Sequence, residues 1–239
     1  MYDNQYVFLG KILPERVNLT LPSLKLSGLL PLNNEPFEAN LNISVSMITV
    51  YVYTNASDIP TLRNIITQQV GDIVAAFGFG KNCAYQVEIS SLSHSNSLDV
   101  FPVTYDEDTN ENAVAFLNKV ITATQNHPDA VRWGLRAMSD YRDAIINAHD
   151  TGFYCQRAIE SLRHHFPGGK SAQWKSLRTS LNIDVSYFNW IKSYGDAQRH
   201  GETPFMSGEE RRRALHVTRD VIKRFAEFIY NDLNPLDTP

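Results

Sequence analysis

The sequence predicts an α+β N-terminal domain followed by an all-α helical bundle, and three observations carry that reading. Two-residue alternation and β-branched runs are concentrated in the first hundred residues, whereas later apolar patterns step by three and four. An acidic, polar stretch, Tyr105-Asp-Glu-Asp-Thr-Asn-Glu111, separates the two regimes. The charge also changes sign: residues 1–105 hold 5 basic and 8 acidic side chains, a net of −3, whereas residues 130–226 hold 16 and 10, a net of +6. The expected boundaries are 1–105 for the α+β domain, 106–110 for an acidic linker and 111–232 for the bundle.

Tyr6-Val-Phe-Leu9 and Val17-Asn-Leu-Thr-Leu21 are strand candidates, with Pro14 and Pro22 breaking the chain after each. Ile43-Ser-Val-Ser-Met47 alternates, and Ile48-Thr-Val-Tyr-Val-Tyr53 adds the branched and aromatic residues that suit a pleated, buried surface. From Ser57 to Phe77 the period becomes helical through Leu62, Ile65, Ile66, Val70, Ile73, Val74 and Phe77. Ser57 or Asp58 can cap this helix, with Pro60 in its first turn. Phe77-Gly-Phe-Gly80 lacks the third glycine of a phosphate loop and reads as a tight turn. Ala84-Tyr-Gln-Val-Glu-Ile-Ser90 returns to alternation, so the sheet is expected to be mostly antiparallel.

Beyond the acidic stretch, Val114, Leu117 and Ile121 define one apolar stripe, and Val131, Leu135, Met138 and Ile145 another, begun by Pro128. Cys155, Ile159, Leu162 and Phe166 continue the pattern until Pro167-Gly-Gly169 stops it. Asp150-Thr-Gly152 either breaks or kinks the chain. Two short helices follow, around Trp174, Leu177 and Leu181, then Phe188, Ile191 and Tyr194, with Trp174 and Trp190 read as core aromatics. Ser207-Gly-Glu-Glu210 is a capping box that opens a long amphipathic helix through Leu215, Ile222, Phe225 and Ile229.

Composition narrows the function classes. The formal charge of −4 argues against a general nucleic-acid coat, since nonspecific binding comes mainly from phosphate neutralisation. Any polyanion is expected on the basic second half. Two distant cysteines, Cys83 and Cys155, form no pair motif, and three glycosylation sequons lack a secretion signal, so a reducing cytoplasm is the expected location. No apolar run reaches the length of a membrane helix. There is no His-Glu-x-x-His or Cys-x-x-Cys, and the adjacent His164 and His165 point about 100° apart on a helix. No metal and no cofactor is expected.

The chemistry left to the chain is that of arginine and histidine. Tyr194-Gly-Asp-Ala-Gln-Arg-His-Gly201 places Arg199 and His200 at a helix end, where two basic groups can meet an anion. The same residues also suit a plain C-terminal cap, with Gly201 as the left-handed stop. Arg142 and His149 form a second pair, seven residues apart and close to one helix face.

Residues 111–231 resemble the HEPN superfamily through the aromatic-rich segment 153–166 with Ala158-Ile-Glu160, the Arg-His-Gly turn and the last helix. The family's nuclease signature is an Arg, a polar residue, then a His after four to six intervening positions. The resemblance implies a metal-independent ribonuclease of toxin or antiviral-defence systems, with a His as general acid or base and an Arg steadying phosphate charge. RNA or a nucleotide is the implied partner, and a homodimer the implied assembly. A noncatalytic module that dimerises or docks a protein is the alternative. Ahead of His200 the signature arginine is out of register, since Tyr194 and Gly195 stand where it would fall. The spacing also occurs at Arg142 to His149, Arg157 to His164 and Arg211 to His216, where composition alone gives about one match.

Overall fold

The computed structural model describes residues 4–31, 33–95, 97–101, 113–202 and 204–237. The chain forms two compact units, Met1–Tyr105 and Asp106–Pro239. The acidic stretch 105–111, including the expected linker 106–110, lies outside the described residues.

The first unit is a six-stranded antiparallel sheet, β1 (Asn4–Leu13), β2 (Leu21–Leu29), β3 (Pro36–Ser44), β4 (Met47–Thr54), β5 (Gln86–His94) and β6 (Ser97–Val100), in the spatial order β2-β3-β4-β1-β5-β6. Helix α1 (Ile59–Lys81) joins β4 to β5. Alternation sends Phe8 and Ile12 of β1, Leu41 of β3, and Val50 and Val52 of β4 into one core, where they meet Leu62, Ile66, Val70 and Val74 of α1. The Asp58 side chain accepts a hydrogen bond from the Thr61 N–H, so Asp58 is the cap and Pro60 falls in the first turn.

Three local expectations give way here. The strand expected at 17–21 is a 3-10 turn at Glu15–Val17 and a short connection, and strand pairing starts only at Leu21. Pro22 then lies inside β2, which tolerates it because β2 is an edge strand and its register is irregular between Leu21 and Leu24. The alternation at 43–47 is interrupted by a two-residue reversal, with Val45 and Ser46 at φ 49° and 62°, so that Ser44 pairs with Met47. Val45 is an unusual residue for that backbone region, and the neighbouring connection holds it there: the Val45 N–H donates to Thr20 Oγ1, the Leu19 N–H to Ser46 Oγ, the Ser46 N–H to the Leu19 carbonyl, and the Ile12 N–H to the Ser46 carbonyl. Phe77–Gly80 is the last turn of α1 and not a tight turn. The helix stops at Asn82, whose left-handed backbone donates back to the carbonyls of Gly78 and Phe79.

The second unit is helical: α2 (Ala113–Asn126), α3 (Pro128–Ile146), α4 (Thr151–Arg163), α5 (Lys170–Leu181), α6 (Ser186–Asn189), α7 (Ile191–Arg199) and α8 (Gly208–Tyr230). Its core comes from Cys155, Ile159 and Leu162 of α4, Leu177 and Leu181 of α5, and Leu215, Val221 and Phe225 of α8. The capping box at Ser207 and Glu210 is present in both directions. Asp150-Thr-Gly152 proves to be a break: a 3-10 turn at Ala148–Asp150 separates α3 from α4. Arg211 of α8 closes it, donating to Thr151 Oγ1 at 2.9 Å and to the Ile145 carbonyl at 2.7 Å, so a cation sits at the C-terminus of α3.

Burial differs from the expected stripes. Val114, Leu117 and Ile121 of α2 are exposed, and Ala123 is the buried residue of that helix. On α3 the buried face is Ala130, Val131, Gly134, Ala137, Asp140 and Ala144, while Leu135 is exposed. Small side chains let α3 lie close to its neighbours, so Phe225 of α8 packs directly over Gly134. Trp174 and Trp190 are half-buried rather than core. No described helix is long and apolar enough to cross a membrane.

Candidate functional site

The crossing of α4 and α7 sets the geometry of the site. Gly152 of α4 lies where a Cβ would be 2.5 Å from Tyr194 Cβ, and Gly195 of α7 where a Cβ would be 2.0 Å from Gln156 Oε1. Each helix supplies a glycine at the point where the other presses on it. Gln198 fastens the same end, its Oε1 accepting from the Phe153 N–H at 2.6 Å and its Nε2 donating to the His149 carbonyl. The turn that carries His149 is thereby tied to the helix that carries Arg199.

Around this crossing lies a polar network. Arg199 Nη2 donates to Glu160 Oε2 at 2.9 Å, and its Nη1 stands 3.5 Å from Asp196 Oδ1. The buried Gln156 amide donates to both carboxylates, at 3.3 Å to Glu160 Oε1 and 3.1 Å to Asp196 Oδ1. Lys192 Nζ lies 3.9 Å from Asp196 Oδ2. One guanidinium is therefore held between two acids. Such a cation attracts phosphate less than an unpaired one, because the carboxylates already cancel its field.

His200 is exposed and occupies the C-terminal cap of α7, where its N–H meets the carbonyls of Asp196 and Ala197. Gly201, at φ +85°, turns the chain away, and the Glu202 N–H closes the cap on the Ala197 carbonyl. The cap is present, and the His200 ring stays on the surface beside it.

Arg142 and His149 do not share a helix face, because α3 ends at Ile146 and His149 belongs to the 3-10 turn. Arg142 turns to its neighbour Asp143, at 2.7 Å. The other spacing matches also have structural partners. Arg157 bonds Asp140 Oδ1 at 2.6 Å, His164 packs on Trp133 with ring centroids 5.1 Å apart, and Arg211 closes α3.

Two features escaped the sequence reading. One is Asp140, buried on α3, which accepts from Arg157 and Ser161 and lies 3.6 Å from Arg136. That hydrogen bond raises the Arg157 pKa above its ordinary value, and the guanidinium lies over the rings of Phe153 and Tyr154. The other is an open pocket of about 280 Å³ between α4, α5 and the α6–α7 segment. Trp174, stacked on Phe188 with centroids 5.7 Å apart, forms its aromatic wall, and Ile159 and Ile191 extend the apolar lining. Lys170, Arg178 and Lys192 bring positive charge to it, and Glu160, the partner of Arg199, belongs to both the pocket and the polar network. The signal was present on α5, where Lys170, Trp174 and Arg178 recur every four residues and so share one face.

A second cavity, about 20 Å³ between α2, α3 and α8, is apolar and has room for no more than about one water. Burial pushes the Cys155 thiol up to about 12, which removes it as a nucleophile. Among the described residues no group of three or more His, Cys, Asp and Glu is placed to hold a metal.

Residues 6–99 match the N-terminal domain model of a domain of unknown function, DUF8168, and residues 120–230 match its C-terminal domain model. Both units are similar to one family, DUF8168. The two matched stretches fall one in each compact unit, so the DUF8168 division follows the change from sheet to helices. No curated protein and no solved structure matches the chain.

Proposed function

We propose that the C-terminal unit is a HEPN-like module that associates with RNA or a nucleotide, in a protein of toxin or antiviral-defence type, and that it acts by binding. The observation that carries this is the aromatic-walled pocket bordered by Lys170, Arg178 and Lys192 next to the Arg199 network. Apolar rings with nearby cations suit a base and its phosphate. The excess of basic groups over residues 130–226 points the same way. Against cleavage stands Arg199, held by Glu160 and Asp196 rather than free to meet a phosphorane.

The second reading, a metal-independent endoribonuclease, is favoured by the exposure of Arg199 and His200 side by side at one helix end. There His200 would move the proton and Arg199 hold the phosphate, with Arg142 and His149 the alternative pair. Incubating the purified chain with RNA in EDTA decides between them. Binding without cleavage is expected. Cleavage that falls roughly 10²- to 10⁴-fold in His200→Ala, with the thermal midpoint unchanged, would establish the nuclease instead. The homodimer and the cytoplasmic setting rest on the HEPN resemblance and on the sequence reading. Light scattering of the purified chain tests the first.

A further inference from the structure

The following inference rests on the reading of the C-terminal unit as nucleotide-associated and narrows it to one site. We propose that the pocket between α4, α5 and the α6–α7 segment receives a single nucleotide unit bearing a terminal phosphate. The base lies against the Trp174–Phe188 wall, and the phosphate is held by Lys170, Arg178 and Lys192.

Shape sets the size of the ligand. A pocket of about 280 Å³ is at the small end for organic ligands, so it admits one ring system with its sugar and not a length of chain. Chemistry sets the type. The wall is apolar and aromatic, which favours a flat ring, while Glu160 and the exposed Asn189 offer polar atoms for a base edge.

Charge sets the rest. Lys170 and Arg178 make no ion pair among the described residues, and Lys192 reaches Asp196 only at 3.9 Å. Asp184 feels Arg178, but its carboxylate takes its hydrogen bonds from Ser186 N–H and Oγ, at 2.8 and 2.6 Å. Glu160 is bonded to Arg199. Lys170, Arg178 and Lys192 all border the pocket, so an anion seated there meets positive charge from two elements. The face comes from α5 itself, because Lys170, Trp174 and Arg178 follow at four-residue intervals.

The same chemistry reaches the site as a free mononucleotide or as the phosphorylated end of an RNA, and calorimetry on the full chain separates the two. Adenosine and cytidine monophosphates are expected to bind, with adenosine weaker by about tenfold or more for want of phosphate contacts. Ribose 5-phosphate is expected to be weaker by about fivefold or more for want of stacking. Arg178→Gln and, at an exposed position, Lys170→Gln should each weaken the monophosphates about tenfold at an unchanged thermal midpoint. Competition by a short 5′-phosphorylated RNA, and not by its unphosphorylated twin, identifies the RNA end as the source. Monophosphate binding without such competition identifies the free nucleotide. The site is overturned if neither monophosphate binds at about 1 mM, or if the Arg178 and Lys170 variants bind as the parent does. RNA binding that persists in the absence of mononucleotide binding removes the pocket and leaves the broader reading standing; loss of both removes both.

Discussion

Gly195 of α7 lies against Gln156 of α4 so closely that a methyl group on it would fall 2.0 Å from the side-chain oxygen. The same Gln156 amide bridges Glu160 and Asp196, the two acids that hold Arg199. Close packing and the orientation of the arginine are thus one arrangement. Gly195→Ala is expected to push Gln156 out of place and destabilise the unit by about 1–3 kcal/mol, the usual range for overpacking. Chemical denaturation measures it, and a loss below about 0.5 kcal/mol would show that α7 moves aside freely.

The Asp140–Arg157 pair predicts an asymmetry. Asp140 is 1% exposed, whereas the Arg157 side chain is 31% exposed and can turn to water. Arg157→Met leaves a carboxylate buried, with Arg136 at 3.6 Å and the Ser161 hydroxyl at 3.4 Å to answer it. Its cost should approach the lower end of the about 3–5 kcal/mol typical for a broken buried pair. Asp140→Asn should cost less, since it removes the buried charge itself. Equal losses in the two variants would refute the argument.

His165 gives a pH dependence. Its ring stands edge-on to Phe166, Phe225 and Phe228, and burial lowers its pKa below the ordinary 6.5. Asp129, 3.8 Å away, opposes the shift, and His127 adds to it. Between the lowered folded pKa and 6.5 the unfolded chain binds more protons than the folded one, so stability falls as pH drops below about 6.5. Thermal midpoints taken from pH 7.5 to 5.5 should decline, and His165→Leu should flatten part of that decline. An identical slope in the variant would assign it to other groups.

Arg211 joins the first turn of α8 to the last carbonyls of α3. Removing it takes the donor from the Ile145 carbonyl, while the Ala144 carbonyl keeps the Thr151 hydroxyl, so Arg211→Ala should cost about 1–3 kcal/mol. Hydrogen exchange should then quicken locally at residues 144–151. Uniform quickening across the unit would mean that the contact supports the whole bundle and not that corner.

Parts of this architecture could be read directly from residue types. Ser207 with Glu210 and Asp58 with Pro60 mark helix starts because the bonding groups lie within four residues of one another. What escaped depends on distant partners. Val45-Ser46 carries no Asn or Gly, and its reversal is held by Leu19 and Thr20, more than twenty residues away. The stripe on α3 misled because its buried face uses Ala and Gly, which carry little hydrophobic signal, while Leu135 faces out. Arg199, placed by the sequence where it can meet an anion, gives its hydrogen bond to Glu160, 39 residues away, whereas Asp196, one helical turn before it, was within reach of the sequence.

The hydrogen bonds around Ser46 also tie the crossing chain to the hairpin beneath it. Leaving β1 at the middle of the sheet, the chain must pass two strand positions to reach the far edge as β2, and it travels there tethered to the tip of the β3–β4 hairpin. That tether exists only once the hairpin has closed. β2 pairs with β3 alone, so its partner is complete once residue 44 has been made, whereas β1, the first strand of the sequence, stays without β4 until residue 54 and without β5 until residue 94.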